Sequence, residues 1–369
     1  MIDNHPHSIY DIAMKNEAEL HQGPNPQRRM LQRGDLLNLE GRLMEAGWST
    51  QLIKRYDRAA VKAPAWRVKE WDYYLIGNDF FALALTVCDN SYMGLDSISL
   101  IDFENKTERT VTRMTPFPMG KRGLPASSAS GVVRAQGKNY EITFRKEGTQ
   151  RHIYGHMYDF GGERSPLLFD VILQDPGDDS MVIATPFAGK PRCFYYNQKI
   201  NCMPAEGRCI YGGRDYIFSP AASFGVLDWG RGVWTYRNTW YWASASGMAE
   251  GQRFGMNLGY GFGDTGSATE NMLLFGGRAH KLGDVVFNIP KSGRRYDYEK
   301  PWTITDDRGR LALDFTPVID RAAKINAVLV ATDQHQVFGR FSGKAVLDDG
   351  RVLAIRDLMG FAERVKNRY

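Results

Sequence analysis

From Trp66 onward, apolar and polar residues alternate with a period of two, in segments broken by turn residues. Successive side chains of a strand point to opposite faces, so this pattern predicts strands with one face on a core. "YEITF" places Tyr140, Ile142 and Phe144 on one side, and "RLALDF" does the same with Leu311, Leu313 and Phe315. "RFGMNLGYGFG" aligns Phe254, Met256, Leu258, Tyr260 and Phe262, with Gly255, Gly259, Gly261 and Gly263 opposite. Glycine within a strand marks a bend or the close approach of another group. "FFALALTVCD" is apolar on both faces, and "TQRHIYGHMYDF" reads as a further strand. The last forty-odd residues predict a meander that turns at Asp348–Gly350 and ends in a short helix. Other helical patterns are confined to "SIYDIAMKNEAELH" and "NLEGRLMEAG" near the start.

The pattern occurs twice. "WDYYLIGNDFFALALTVCDNSYMG" begins at Trp71 and "WYWASASGMAEGQRFGMNLGYGFGDTG" at Trp240. Asp89 matches Asp264 and Phe144 matches Phe315, all about 170 residues apart, which predicts an internal duplication. A unit of many antiparallel strands must protect its sheet edges, and closure into a barrel does so. The predicted fold is therefore all-β: two tandem lipocalin-like antiparallel β-barrels with a short N-terminal helical segment. The expected divisions are an extension over 1–40, a first barrel over 41–199 and a second over 200–369. A pair of β-sandwiches is the alternative.

Composition adds mainly exclusions. The 369 residues are 43% hydrophobic and 24% charged, with a formal charge of +5 and scattered basic residues. This is a globular balance without a nucleic-acid footprint. No apolar run approaches a membrane span, and the polar start lacks a signal-peptide core, so no integral membrane segment and a cytoplasmic location are expected. Cys88, Cys193, Cys202 and Cys209 show no CxxC spacing, and reduced thiols are expected. No metal and no cofactor are expected. His152 and His156 share a strand face but read as surface residues, and "GFGDTG" at Gly261–Gly266 lacks the helix that a dinucleotide site requires.

Candidate chemistry concentrates in "LDWGRGVWTYRNTWYWASASG", Leu227 to Gly247, which holds four of the eight tryptophans. Asp228 is the candidate acid, with Arg231 and Tyr236 assisting. Trp229, Trp234, Trp240 and Trp242, together with Tyr260, Glu270 and His280, are the candidate ligand-binding residues. A buried carboxyl keeps its proton at neutral pH, and aromatic faces stabilise positive charge, so the combination suits protonation of an alkene. The competing reading pairs Asp228 with Arg231 beneath a packed aromatic wall. Glu363 and its neighbours Arg356, Asp357 and Arg364 read as surface or interdomain ion pairs. In "WRVKEWDYY", Arg67 and Lys69 are expected to balance Glu70 and Asp72 at the surface of a first barrel that serves as scaffold.

Several strings in order carry a resemblance: Gly47–Trp48, "KEWDYY" at Lys69, "LDWGRGVW" at Leu227, "TENMLLFGGRAHKLGDV" at Thr269, "QVFGRFSG" at Gln336 and "DLMGFAER" at Asp357. Together they resemble domain of unknown function 2804, over nearly all the chain after about residue 35. That family is similar to a wider tandem-lipocalin group that includes hydroxyneurosporene synthase, AttH-type proteins and tocopherol cyclase. The resemblance implies the double barrel and an apolar ligand such as a lipid or isoprenoid. Hydratase-type members carry Asp-His-Glu-Trp where the second barrel begins; here only Asp228 of that string is kept, with Trp229, Gly230 and Arg231 following. Three readings stand. One is acid-catalysed hydration, isomerisation or cyclisation, as by a hydro-lyase or a cyclase. The second is a non-catalytic carrier or sensor. The third is a structural protein with filled barrels.

Overall fold

A computed structural model describes residues 27–162, 165–326 and 330–368. Almost every described element is a strand, and the only helical turns are two 3-10 turns, Arg58–Ala60 and Ala65–Arg67. The expected helix over "NLEGRLMEAG" is absent: Leu37 bridges Leu43, Gly41 takes a positive φ of 74°, and Gly47–Ser49 is already a strand. The earlier helical pattern lies outside the described residues. The C-terminal helix is also replaced, because Val352–Arg368 pairs with strands on both sides, and such pairing overrides local propensity.

Two large curled sheets form. The first runs in the order Thr107–Pro116, Met93–Asp102, Phe81–Asp89, Lys69–Gly77, Phe224–Val233, Phe194–Tyr211, Leu167–Gln174, Gln150–Met157, Tyr140–Glu147, Gly131–Gly137. The second runs Arg278–Lys281, Met272–Phe275, Gln252–Tyr260, Arg237–Ala249, Val352–Arg368, Ala331–Val346, Leu311–Asn326, Trp302–Asp306, Val285–Asn288. The plan is the same in each. Neighbours follow chain order, the last strand of the unit pairs with its first, and the two outer strands are consecutive in the chain. Trp71 and Trp240 both lie on the first strand of their unit. The expected division after residue 199 falls inside Phe194–Tyr211, a strand of the first sheet.

Each sheet closes over its own core. In the first, alternate residues such as Tyr74, Ile76, Leu83, Leu85, Val87, Leu227 and Trp229 point inward. In the second the inward set includes Ala243, Phe254, Met256, Leu258, Phe315, Val337 and Phe341. The opposite faces of several of these strands meet in a third apolar layer. Tyr73, Leu75, Ala82, Ala84 and Val226 of the first sheet pack there against Trp242, Phe338, Met359 and Phe361 of the second. The seam is locked by a bulge between Ile200 and Met203, where Cys202 has φ 61°. Asn201 at this bulge donates to Ser244 Oγ at 2.8 Å, and the Cys202 N–H donates to Ser246 Oγ at 3.0 Å. All four cysteines are buried free thiols.

Candidate functional site

Strand parity brings the site to the seam. On Phe224–Val233, Leu227, Trp229 and Arg231 face the first barrel's interior, which leaves Val226 and Asp228 on the outer face. On Arg237–Ala249, Trp240 and Trp242 face outward in the same way. Between the two outer faces lies a cavity of about 210 Å³. Its aromatic walls are Trp71, Tyr195, Trp234, Trp240, Trp242 and Phe262, and its polar groups include Lys199, Asp228, Glu270 and Glu363.

The rings support one another edge to face. Phe262 meets Tyr195, Trp234 and Trp240 with ring centroids 4.9, 5.4 and 5.5 Å apart. Trp71 lies 5.3 Å from Trp234 at a steep angle and is stacked against Tyr195 at 5.9 Å. Such offset and edge contacts fix ring positions better than area burial alone. Trp234 Nε1 is buried without a hydrogen-bond partner among the described residues.

The charged groups have distinct surroundings. Asp228 Oδ2 is 3.0 Å from Lys199 Nζ, and its Oδ1 accepts from Asn197 Nδ2 at 2.6 Å. Lys199 Nζ also sits 3.7 Å from the centre of the Trp242 ring. Glu363 accepts from Trp240 Nε1 at 2.9 Å and from Gln336 Nε2 at 3.1 Å. Burial raises the Glu363 carboxyl from 4.5 to about 7; Trp240, Arg321 and Lys199 oppose the rise and Asp228 adds to it. Glu270 lies over Gly259, whose missing side chain leaves its space, and accepts from Asn257 Nδ2 at 3.2 Å. Its carboxyl is raised as well, chiefly by burial. Asn257 in turn accepts from Trp242 Nε1 at 2.7 Å, so wall and acid are positioned together. Lys69 lies 4.5 Å from the Tyr92 ring and 5.5 Å from Trp234, and burial lowers it to about 7.

Of the residues singled out in the sequence, Asp228, Trp234, Trp240, Trp242 and Glu270 meet at this cavity. The others lie elsewhere. Arg231 is fully buried on the inner face, where it pairs with Asp72 at 2.8 Å and donates to the Trp71, Gly230 and Pro125 carbonyls. Three residues from Asp228 on a strand means the opposite face, so the two do not pair. Trp229 lies beneath Arg231 in the same core. Tyr236 is 47% exposed, in the connection after Val233. Tyr260 stacks on Tyr241 inside the second barrel, and His280 pairs with Asp348 at 3.2 Å in a different cleft. Two surface expectations are corrected. Glu363 is buried in the seam. Lys69, Glu70 and Asp72 are buried too, with Glu70 bound to Arg58 and Tyr56. The residues that sequence reasoning missed are Lys199, Glu363, Trp71, Tyr195 and Phe262. A signal existed for Lys199, the one charge in the otherwise uncharged stretch "FYYNQKINC".

Fold and cavity define a tandem lipocalin-like protein with a polar-lined aromatic pocket between its two units. The chain belongs to the family described as domain of unknown function (DUF2804), matched over residues 27–369. Among solved structures, kievitone hydratase from Nectria haematococca is similar, with a TM-score of 0.53 at 12% identity over 91% of this chain and 98% of that one. A protein assigned as AttH from Nitrosomonas europaea gives 0.49 at 12% identity, covering 85% and 98%. CghA, solved with Sch210972, gives 0.43 at 11%, covering 82% and 88%. No curated protein matches the sequence. The first likeness shows the shared fold. Among the described residues, no helix is long and apolar enough to cross a membrane.

Proposed function

We propose that this protein binds a small, largely apolar molecule in the seam cavity and performs proton-transfer chemistry on it, with Glu363 as the proton donor. One observation carries the reading: a buried carboxyl that holds its proton near neutrality stands in an aromatic-walled cavity. An acid of this kind donates to a double bond or a leaving oxygen, and the indole faces stabilise the positive charge that develops. Hydration, isomerisation and cyclisation all begin with such a step. Asp228 is committed to Lys199 and Asn197, so its part is to fix the electrostatic frame. Sharing a fold with a hydratase does not assign the reaction, because chemistry belongs to the site.

The test begins with native mass spectrometry of the purified full chain. A bound small molecule is expected, and Thr86, which also lines the cavity, offers a way to fill it: Thr86→Phe should remove the molecule. On the captured molecule, wild type should show turnover and Glu363→Gln should lower it about 100-fold or more. Equal retention by the filled variant would place the ligand elsewhere. Capture without turnover would leave a carrier and remove the acid role.

A further inference from the structure

The ionisable groups around the cavity do not balance. Lys199 and Asp228 neutralise each other. Glu270 and Glu363 remain, and each has hydrogen-bond donors but no ion-pair partner among the described residues. Other cations near them are engaged elsewhere. Arg321 donates to Gln336 Oε1 at 2.7 Å, and Lys281 is held by Thr269 Oγ1 and the carbonyls of Asn271 and Leu282. Six aromatic rings line the same cavity as the two carboxyls. The face of an indole or phenol attracts cations, and Trp242 already holds Lys199 Nζ in this way.

We propose that the ligand of this cavity carries a positive charge: an organic ammonium or protonated amine on a largely apolar body, its cationic end set by Glu270 against the indoles, with Glu363 left as the acid. The proposal rests on the seam cavity being the binding site. Without a guest, the two carboxyls have no ion-pair partner among the described residues in a low-dielectric pocket, and both retain protons more readily than in water. A cation beside Glu270 supplies such a partner, so binding drives the ionisation of Glu270 and releases its proton, while Glu363 stays the acid. Glu363 faces Trp240, Gln336 and Arg321 from its own sheet and Tyr73, Lys199 and Asp228 from the other. Glu270 faces Asn257, Lys199, Asp228 and Lys281. Lys69, at the Trp234 rings, is lowered to about 7 and is largely uncharged at pH 8.

The experiment compares phenyltrimethylammonium with tert-butylbenzene, which share a shape and differ in charge. Both are titrated into the full wild-type chain at pH 8 and followed by tryptophan fluorescence and calorimetry. The cation should bind about tenfold tighter or more, with an advantage that shrinks below pH 7. Repeated at pH 6, where the raised carboxyls still hold protons, the heat of binding should vary with the ionisation enthalpy of the buffer, as proton release requires. Glu270→Gln should move the ratio of the two affinities toward one. Equal or tighter binding of tert-butylbenzene by wild type overturns the cation assignment and leaves the cavity reading intact. Failure of both to bind overturns the cavity reading and this proposal with it.

Discussion

Replacing Glu363 by Gln should make the protein more stable at alkaline pH, although it removes the proposed acid. Folding raises this carboxyl from 4.5 to about 7. In the unfolded chain the group ionises as pH climbs past 4.5, while the folded group keeps its proton until about 7. Between those values the unfolded state loses a proton that the native state retains, so stability falls with rising pH. Each unit of difference is worth about 1.4 kcal/mol, so the full penalty above pH 7 is about 3 kcal/mol. Roughly 1 kcal/mol of it is already present at pH 5.5, which leaves about 2 kcal/mol to appear between pH 5.5 and 8.5. Glutamine is uncharged and offers Trp240 Nε1 the same kind of acceptor. At pH 5.5 the variant should lie within about 1 kcal/mol of wild type. At pH 8.5 it should have gained about 2 kcal/mol relative to wild type. Urea unfolding of both proteins at the two pH values measures this, and the titrating groups that do not feel Glu363 cancel in the difference. A variant equally destabilised at both pH values would refute the claim that Glu363 is buried without a compensating cation.

Gly230→Ala should damage the cavity wall from behind, because a Cβ there runs into the Trp71 indole. A loss of about 1–3 kcal/mol is expected, with weaker binding of any seam ligand, read by chemical denaturation and fluorescence titration. Arg231→Met should cost about 3–5 kcal/mol by leaving Asp72 buried without its partner, yet ligand affinity of the folded fraction should hold. A parallel loss of affinity would show that Arg231 acts in the site after all.

The strands were legible in the sequence because each has a core on at least one side, and the duplication was legible because the same order of elements recurs. The seam was harder to see. "FFALALTVCD" looks buried on both faces because it is: Leu83, Leu85 and Val87 serve the first core, while Ala82 and Ala84 serve the layer between sheets. Local spacing alone separates Asp228 from Arg231, since an odd offset on a strand reverses the face. The Trp-rich run therefore divides between two compartments. What spacing does not reveal is which distant strand delivers Lys199 or Glu363 to the same point. That depends on sheet register. The terminal "DLMGFAERV" further disguises Glu363, because its Ala, Leu, Met, Glu and Arg favour helix in isolation.

Register also shows why two acids of one cavity differ. Asp228 stands opposite Tyr73 on one side and Lys199 on the other. Glu363 stands opposite Trp242 and Gln336. Tyr73 and Trp242 are each two residues beyond the matched Trp71 and Trp240, so the duplicated units present equivalent carboxyls on equivalent strands. Their third members differ, a lysine in one unit and a glutamine in the other, and this decides which carboxyl has a cation. Paired acids driven apart by their surroundings divide the roles of charge holder and proton donor. Lys199→Gln should erase the distinction. Asp228 would then be buried with uncharged donors only, as Glu363 is, with no cation to offset its charge. The variant should lose stability relative to wild type mainly as pH rises, since ionising Asp228 then costs what Lys199 formerly offset. At pH 8 the loss should approach the roughly 3–5 kcal/mol of a broken buried pair, and at pH 5 it should be clearly smaller. Urea unfolding across this range reads it directly. A loss independent of pH would mean that Lys199 supports the seam by packing on Trp242, with its charge of no consequence to Asp228.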